Sequence, residues 1–157
     1  MRSFDFQVLI QCPLEKVFSI YIDIDRWANR SILGEIRWVQ GVPWEEQSRL
    51  QVETLAPIRS RIDQVVLHFE RNHSVAYISH VFGMTCETQV MFTPIAAEQT
   101  AVNVRVNIVG AVSRVLGFAI EPEIEKATKR FFEDLRRECE GASGKTSETS
   151  IAKPQAP

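Results

Sequence analysis

One amphipathic stretch near the end of the chain constrains the fold more than any other feature. Between Ala111 and Cys139, apolar residues recur three and four positions apart, which predicts one helix with a continuous apolar stripe. The stripe consists of Leu116, Ile120, Ile124, Ala127, Phe131 and Leu135. Charged residues fill the other face, and at about 1.5 Å per residue the helix would be roughly 40 Å long. Such a stripe needs a large apolar partner surface, which the rest of the chain must provide.

Strands in the middle of the chain can supply that surface. From Gly34 to Ile108 apolar and polar residues alternate with a period of two, which predicts strands with one buried face. The predicted strands are Phe4–Ile10, Glu35–Gln40, Arg49–Leu55, Arg59–Phe69, Val75–Phe82, Cys86–Thr93 and Thr100–Ile108. Turn residues separate them at short intervals. This spacing favours an antiparallel meander, because parallel neighbours need long crossover connections.

Two short helices are predicted between the first strand and the meander. Pro13 ends the first strand and suits the first turn of a helix, which should cover Leu14–Ile22. Asp23 or Asp25 can cap a second helix that carries Trp27. The order of elements therefore predicts an α+β fold. A curved seven-stranded antiparallel sheet wraps around the long C-terminal helix, and the two short helices close one end.

Length and composition indicate a folded domain with a polar extension. A chain of 157 residues, 45% of them hydrophobic, is typical of one globular domain. We assign this domain to residues 1–140. Residues 141–157 are small and polar with almost nothing to bury, and we interpret them as a disordered tail.

Charge, hydropathy and cysteine content limit the expected partners and location. The formal net charge is −2 and acids and bases are mixed along the chain, so a nucleic-acid partner is not expected. Neither a signal peptide nor an integral membrane segment is expected, because no apolar run has the required length and flanks. The three cysteines are odd in number and widely separated, which favours a reducing compartment and a cytoplasmic location.

Three segments of the chain carry a family resemblance. The segment Cys12–Trp27, CPLEKVFSIYIDIDRW, has a proline-led helix with a Val-Phe pair that runs into Asp-x-x-Arg-Trp. The block Gly41–Arg49 begins with Gly-x-Pro-Trp, and Phe131–Arg136 forms the end of the helix. Together they resemble the helix-grip superfamily called SRPBCC or START-like over about Phe4–Glu138. Within it, the chain is most similar to the polyketide cyclase/dehydrase and lipid-transport branch.

The resemblance implies a helix-grip fold with a cavity between the sheet and the C-terminal helix. Members of this branch bind lipids, hormones or polyketides. The expected function is binding, and possibly transport or sequestration, of a small hydrophobic molecule, either lipid-like or aromatic and polyketide-like. Ala28 departs from the aromatase/cyclase members, which often have proline after the tryptophan, so cyclisation activity is not carried over.

Two alternative functions remain open at this stage. One is a cofactor-independent cyclase or dehydratase that acts on a polyketide-like carbonyl compound, which needs polar groups converging inside the cavity. The other is a protein-interaction module whose cavity is filled by side chains. The ligand and the oligomeric state are not predicted.

Hairpin pairing predicts which side chains face the cavity. A tight turn at Gly83 and Met84 places alternate residues of its flanking strands on one face. The strand Arg59–Phe69 leaves two phases open, one with His68 inward and one with Phe69 inward. The candidate lining residues are Trp38, His68, Tyr77, Ser79, Cys86, Thr88, Val90, Phe92, Val104, Phe118, Ile120 and Ile124.

None of these candidates completes a catalytic or metal-binding motif. An inward His68 can act as an acid, a base or a hydrogen-bond donor to a ligand carbonyl, whereas an outward one is a solvated strand residue. Cys86 has no base fixed by the sequence and is expected to be a buried thiol. Catalytic residues are therefore left unassigned. No metal is expected, because no histidine has another histidine or a carboxylate nearby at the spacing of metal ligands. No cofactor is expected, because the sequence has no nucleotide-binding motif.

The first half of the predicted C-terminal helix differs from the second. It is apolar nearly all round, and Pro122 interrupts its hydrogen-bond ladder, which predicts a kink or a restart of the helix. By the same resemblance, this half should lie over the mouth of the cavity.

Overall fold

The computed structural model describes residues 2–27, 29–81, 83–110 and 117–152, with residues 117–119 and 142–152 described by their backbone alone. The strands are β1 (Arg2–Ile10), β2 (Leu33–Gln40), β3 (Arg49–Thr54), β4 (Ser60–Glu70), β5 (Ser74–Val81), β6 (Met84–Ala96) and β7 (Gln99–Val109). The helices are α1 (Leu14–Ile22), α2 (Ile24–Trp27) and α3 (Gly117–Ala152).

The seven strands form one antiparallel sheet in the order β1-β7-β6-β5-β4-β3-β2. Every neighbour except β1 and β7 is also consecutive in sequence, as in a meander. The predicted α+β helix-grip architecture is therefore confirmed. Each predicted strand lies within two or three residues of an observed one, although Phe82, the last residue of a predicted strand, lies outside the described residues.

The two short helices form where the local signals place them. The helix α1 has the predicted bounds, Leu14–Ile22. Asp23 is the residue that caps α2, because its Oδ1 accepts a hydrogen bond from the Asp25 amide at 3.2 Å. The indole N–H of Trp27 donates to the carbonyl of Tyr21 at 2.5 Å, which ties α2 back onto α1.

Polar contacts at two places hold α3 across the concave face of the sheet. The Arg2 guanidinium on β1 lies 3.1 Å from a carboxylate oxygen of Glu125. Near the middle of the helix, the backbone amide and the hydroxyl of Ser31 donate to Asp134 Oδ2 at 2.9 and 2.7 Å. Partly exposed polar contacts of this kind contribute little stability individually. They orient the helix, and burial of its apolar stripe supplies most of the driving force.

The helix α3 differs in extent from the predicted one. Residues 111–116 of the predicted helix lie outside the described residues. Helix α3 is assigned without interruption through Pro122, so the predicted restart is not observed, and the kink stays a prediction. The helix continues to Ala152, through most of the segment for which the sequence predicts a disordered tail. The division of the chain at residue 140 also stays a prediction.

The strand β4 changes its inward phase at a bulge. Val66 pairs with Tyr77 and is buried, but the next paired residue is His68, which lies opposite Ala76. One unpaired residue between them rotates the rest of the strand by one position. Phe69 therefore points inward after the bulge, and His68 points outward.

Candidate functional site

A cavity of about 130 Å³ lies between the concave face of the sheet and α3. Its walls come from α2 and α3, the strands β2 to β7, and the turn between β3 and β4. The described lining residues are Trp27, Ile32, Leu33, Val52, Thr54, Ala56, Pro57, Ile62, Gln64, Tyr77, Ser79, Val81, Cys86, Thr88, Val106, Ile124, Ala127, Thr128, Phe131 and Phe132. Most of them are apolar, which matches the general character of small-molecule sites.

The polar groups of the cavity gather on one wall. Tyr77 of β5 pairs with Thr88 of β6, and Ser79 pairs with Cys86 and, on the other side, with Gln64 of β4. Tyr77, Ser79, Cys86 and Thr88 are all buried. The helix α3 forms much of the opposite wall through its apolar stripe. The cavity therefore has one polar side and one apolar side.

Large rings fill the neighbouring part of the concave face. Eight side chains form what we call the aromatic cluster, with ring centroids of contacting pairs 5.0–6.3 Å apart. Its members are Phe18, Tyr21, Trp27, Trp44, Phe69, Phe92, Phe131 and Phe132. Since three of them also line the cavity, the cluster forms one end of the cavity wall.

Two buried phenols meet at the junction of the cluster and the cavity. Burial raises the pKa of Tyr77, while interactions with the hydroxyls of Tyr21 and Thr88 and the positive charge of Arg30 partly oppose this rise. Burial and the neighbouring Tyr77 raise the pKa of Tyr21 well above its ordinary value. Both phenols therefore stay protonated at neutral pH. Within the described residues, the Tyr21 hydroxyl has no hydrogen bond of normal geometry.

Behind the aromatic cluster lies the buried cation Arg30. Its side chain is 0% exposed, and its guanidinium carbon lies 4.7 Å from the ring centroid of Phe131 and 6.0 Å from that of Trp27. Its Nη2 atom lies 3.6 Å from Oε2 of Glu138. None of the three guanidinium nitrogens has a hydrogen-bond partner among the described residues. Burial lowers the pKa of Arg30, and the negative charge of Glu138 opposes this effect.

The thiol of Cys86 lies in the polar wall of the cavity. Burial, together with the negative charge of Glu121, raises its pKa to about 11. The protonated thiol is thus favoured at neutral pH, and a thiolate nucleophile is not. Among the described residues, no group of three or more His, Cys, Asp or Glu side chains is arranged to hold a metal ion.

The structure brings part of the predicted site together. Tyr77, Ser79, Cys86, Thr88 and Ile124 line the cavity. Val90, Phe92 and Val104 have the predicted inward phase, but they are buried in the core farther along their strands. Trp38 contacts Trp44 with ring centroids 5.2 Å apart, and Ile120 packs against the core. The side chain of Phe118 lies outside the described residues.

The placement of His68 in the cavity is corrected. Its side chain is 48% exposed on the outer face, where Nε2 lies 3.0 Å from the hydroxyl of Ser74. The physical reason is the bulge in β4, which reverses the phase beyond Val66. His68 is therefore not a group that can act on a ligand in this cavity.

No sequence pattern identifies Arg30, the buried cation behind the aromatic cluster. Arg30 lies in the short connection after α2, where apolar residues follow neither the helical nor the strand periodicity. Nothing in the local sequence therefore distinguishes it from a solvated arginine. Tyr21 belongs to α1, and nothing in the helical spacing indicates that its hydroxyl lies near Tyr77. Both residues become visible only when the helices are packed on the sheet.

The helices that the structure describes include none that is long and apolar enough to span a membrane. No match was found among functionally curated proteins. Solved structures with a similar fold include the hypothetical protein jhp0584 from Helicobacter pylori, with a TM-score of 0.73, 12% identity, and coverage of 88% of each chain.

Two further structures with a similar fold come from aromatase/cyclases. One is the Zhui aromatase/cyclase from Streptomyces sp. R1128, with a TM-score of 0.70, 12% identity, and coverage of 87% of this chain and 94% of that one. The other is the di-domain ARO/CYC StfQ from the steffimycin biosynthetic pathway, with a TM-score of 0.74, 11% identity, and coverage of 90% and 52%. At such identities the likeness shows the fold alone.

The family comparison covers most of the chain. The sequence model of the family described as polyketide cyclase/dehydrase and lipid transport matches residues 1–140. The chain therefore belongs to the polyketide cyclase/dehydrase and lipid-transport family.

Proposed function

We propose that this protein binds a small hydrophobic ligand, lipid-like or aromatic and polyketide-like, in the cavity between the sheet and α3. The observation that carries the proposal is a cavity of about 130 Å³ with a predominantly apolar lining between the sheet and α3. A few larger side chains would fill this space, so its retention favours a role in binding.

Two other features are consistent with this proposal. The family to which the chain belongs includes lipid transport in its description. The cysteines Cys86 and Cys139 are free thiols, which is compatible with the expected location in the reducing cytoplasm. The cavity also gives no support to the hypothesis of an interaction module with a filled core.

Native mass spectrometry and probe displacement test the proposal together. Protein purified from its own host should carry an additional bound mass that is lost on denaturation. A fluorescent fatty acid or an apolar aromatic dye should bind and be displaced by the extracted compound. If no bound mass appears and no apolar probe binds, the proposed function is wrong.

A cyclase or dehydratase activity is the second candidate function, and one observation favours it. The hydroxyls of Tyr77 and Thr88 and the thiol of Cys86 converge on one wall, and the pKa values of Tyr77 and Cys86 are raised. A protonated Tyr77 can donate a hydrogen bond to a carbonyl oxygen and stabilise the negative charge that develops there while water, acting as the base, takes the α-proton.

The test of this activity is turnover of a short poly-β-ketone thioester, followed by mass spectrometry of the products. The native protein should accelerate cyclisation or loss of water, and Tyr77→Phe should abolish the acceleration. Equal product distributions with and without protein would leave binding as the function.

A further inference from the structure

The polar wall of the cavity suggests what kind of ligand it accepts. Space of about 130 Å³ is close to that of a cavity of about 150 Å³ known to bind benzene. It is also well below the roughly 300–1,000 Å³ of drug-sized sites. The present arrangement therefore suits a single ring with a short substituent better than a long acyl chain or a fused polycycle.

Tyr77 is the donor best placed to meet a polar atom of such a ligand. It lines the cavity, pairs with Thr88 across the β5–β6 hairpin, and has the Tyr21 hydroxyl nearby. A buried phenol with a raised pKa keeps its proton and donates it in a hydrogen bond. The complementary ligand atom is an acceptor, such as a carbonyl oxygen.

The residues behind Tyr77 strengthen this donor. Tyr21 has a buried hydroxyl without a normal hydrogen bond among the described residues, and an unsatisfied buried hydroxyl is unfavourable. When Tyr77 turns its proton toward the cavity, its oxygen is available to accept from Tyr21. Such a chain of hydroxyls is mutually polarising, and the buried positive charge of Arg30 acts in the same direction on both phenols.

Among the side chains that the structure describes, the opposite wall offers no comparable donor. The Thr128 hydroxyl lines the cavity from α3, but it donates to the carbonyl of Ile124 at 2.8 Å. The neighbouring residues of the helix, Ala127 and Phe131, are apolar. A ligand with one oxygen therefore has a preferred orientation, with the oxygen toward β5 and the ring toward α3.

We propose that the cavity selects a one-ring aromatic ketone, whose carbonyl oxygen accepts a hydrogen bond from Tyr77 with Tyr21 behind it. This inference rests on the proposed function, since it names the ligand class of the same cavity. It goes further in assigning the orientation of the ligand and the residue that determines specificity.

The test compares acetophenone with α-methylstyrene, which has the same shape but a CH₂ group in place of the carbonyl oxygen. Isothermal titration calorimetry should give acetophenone roughly three- to tenfold tighter binding than α-methylstyrene, the value of one net hydrogen bond. In Tyr77→Phe the ratio should fall to about one, because only the acceptor ligand loses its partner. In the matched control Thr128→Val the ratio should not change, since that hydroxyl is already bonded to the backbone.

A spectroscopic measurement on the native protein keeps the test independent of how well Tyr77→Phe folds. The carbonyl stretch of bound acetophenone should move to lower wavenumber than in hexane, because a hydrogen bond weakens the C=O bond. Equal binding of the two probes, an unchanged ratio in folded Tyr77→Phe, or a hexane-like stretch would overturn this inference and leave the proposed function intact. Absence of binding by both probes and by longer apolar probes would overturn both.

Discussion

The concave face of the sheet has two regions that differ in how completely they are filled. Under α1 and α2 the aromatic cluster leaves little space, whereas under residues 124–132 of α3 a cavity remains. The inward residues of β6 show the transition within one strand. Cys86 and Thr88 line the cavity, and Phe92, farther along, lies in the cluster. Within β6, side-chain size at equivalent inward positions separates the core from the binding site.

The largest effect is expected where a ring is removed from the filled region. Phe18 is fully buried, with ring centroids 5.0 Å from Phe92 and 5.6 Å from Phe69. Phe18→Ala should lower the free energy of unfolding by about 3–5 kcal/mol, because it removes buried area and leaves a hole among rings that cannot collapse. Urea denaturation followed by circular dichroism measures this change.

The matched substitution in the other region is Ile124→Ala. Ile124 already borders the cavity and is only partly buried, so its side chain makes fewer contacts to lose. We expect a decrease below about 2 kcal/mol, at or under the lower end of the range for buried isoleucine. Equal losses at Phe18 and Ile124 would contradict the distinction between the two regions.

A second prediction concerns Arg30, the buried cation beside the filled region. Methionine has a similar length without the charge, and replacing a buried ion pair by apolar side chains is often neutral or stabilising by about 1–4 kcal/mol. Arg30→Met should therefore leave the stability unchanged or raise it, since the guanidinium has no hydrogen bonds among the described residues to lose. Thermal and urea unfolding give the measurement.

The control for Arg30→Met removes the partner and keeps the cation. Glu138→Gln leaves Arg30 buried without its carboxylate, and we expect a loss of about 1–3 kcal/mol. The loss is smaller than for a fully enclosed pair, because the Glu138 side chain is 17% exposed. If Arg30→Met were the more damaging of the two, Arg30 would have a structural role that its contacts do not reveal.

Local patterns were sufficient for the elements and for much of the site. Both bounds of α1 follow from a proline and a helical spacing, which are properties of neighbouring residues. The turn at Gly83 sets the phase of β5 against β6, although Met84, which the sequence places in the turn, begins β6 and pairs with Val81. Because the phase is kept, Tyr77 and Thr88 lie on the predicted face.

Features that depend on distant contacts could not be predicted in the same way. The bulge that turns His68 outward arises from pairing with β5, and the alternation of β4 by itself leaves both phases open. Alternation also gives the face of Val90 and Phe92 but not their distance from the cavity along the strand. Arg30 lies outside any periodic segment, so its burial depends on how α2 packs against α3.

A third prediction concerns the buried thiol of Cys86 in the cavity wall. Cys139 is a second buried thiol, in the filled core. Burial is the main cause that raises their pKa values, to about 11 and about 12. Between pH 9 and 11 the unfolded chain loses the Cys86 proton before the native state does. The native state then binds more protons, so the free energy of unfolding falls as the pH rises through this range.

Cys86 should account for roughly 2–3 kcal/mol of this fall, at 1.36 kcal/mol for each unit of pKa difference. The contribution is fully present below pH 9 and is lost above pH 11. Urea unfolding at pH 7.5 and 10.5 should therefore show a smaller decrease in Cys86→Ala than in the native protein. Parallel pH dependences for the two proteins would mean that water reaches this thiol and that the cavity is wetter than its lining suggests.

The smallest change in stability, and the most direct test of the cavity, comes from filling it. Ala127 lines the cavity from α3, and Ala127→Leu introduces three carbon atoms into the cavity. Filling a cavity commonly adds about 0.5–2 kcal/mol to stability, and leucine is nearly as good a helix former as alanine. The same carbon atoms exclude a ligand, so binding of acetophenone or of an apolar dye should weaken at least tenfold.

Lys126→Leu is the matched control, since it adds a leucine on the same helix at a side chain that is 75% exposed, and it should leave binding unchanged. If Ala127→Leu raises stability and weakens binding while Lys126→Leu does neither, the degree to which side chains fill each region explains the behaviour of both. The cluster is stable because it is full, and the site binds because it is not. A loss of stability at position 127 would instead mean that α3 lies closer to the sheet than the cavity implies.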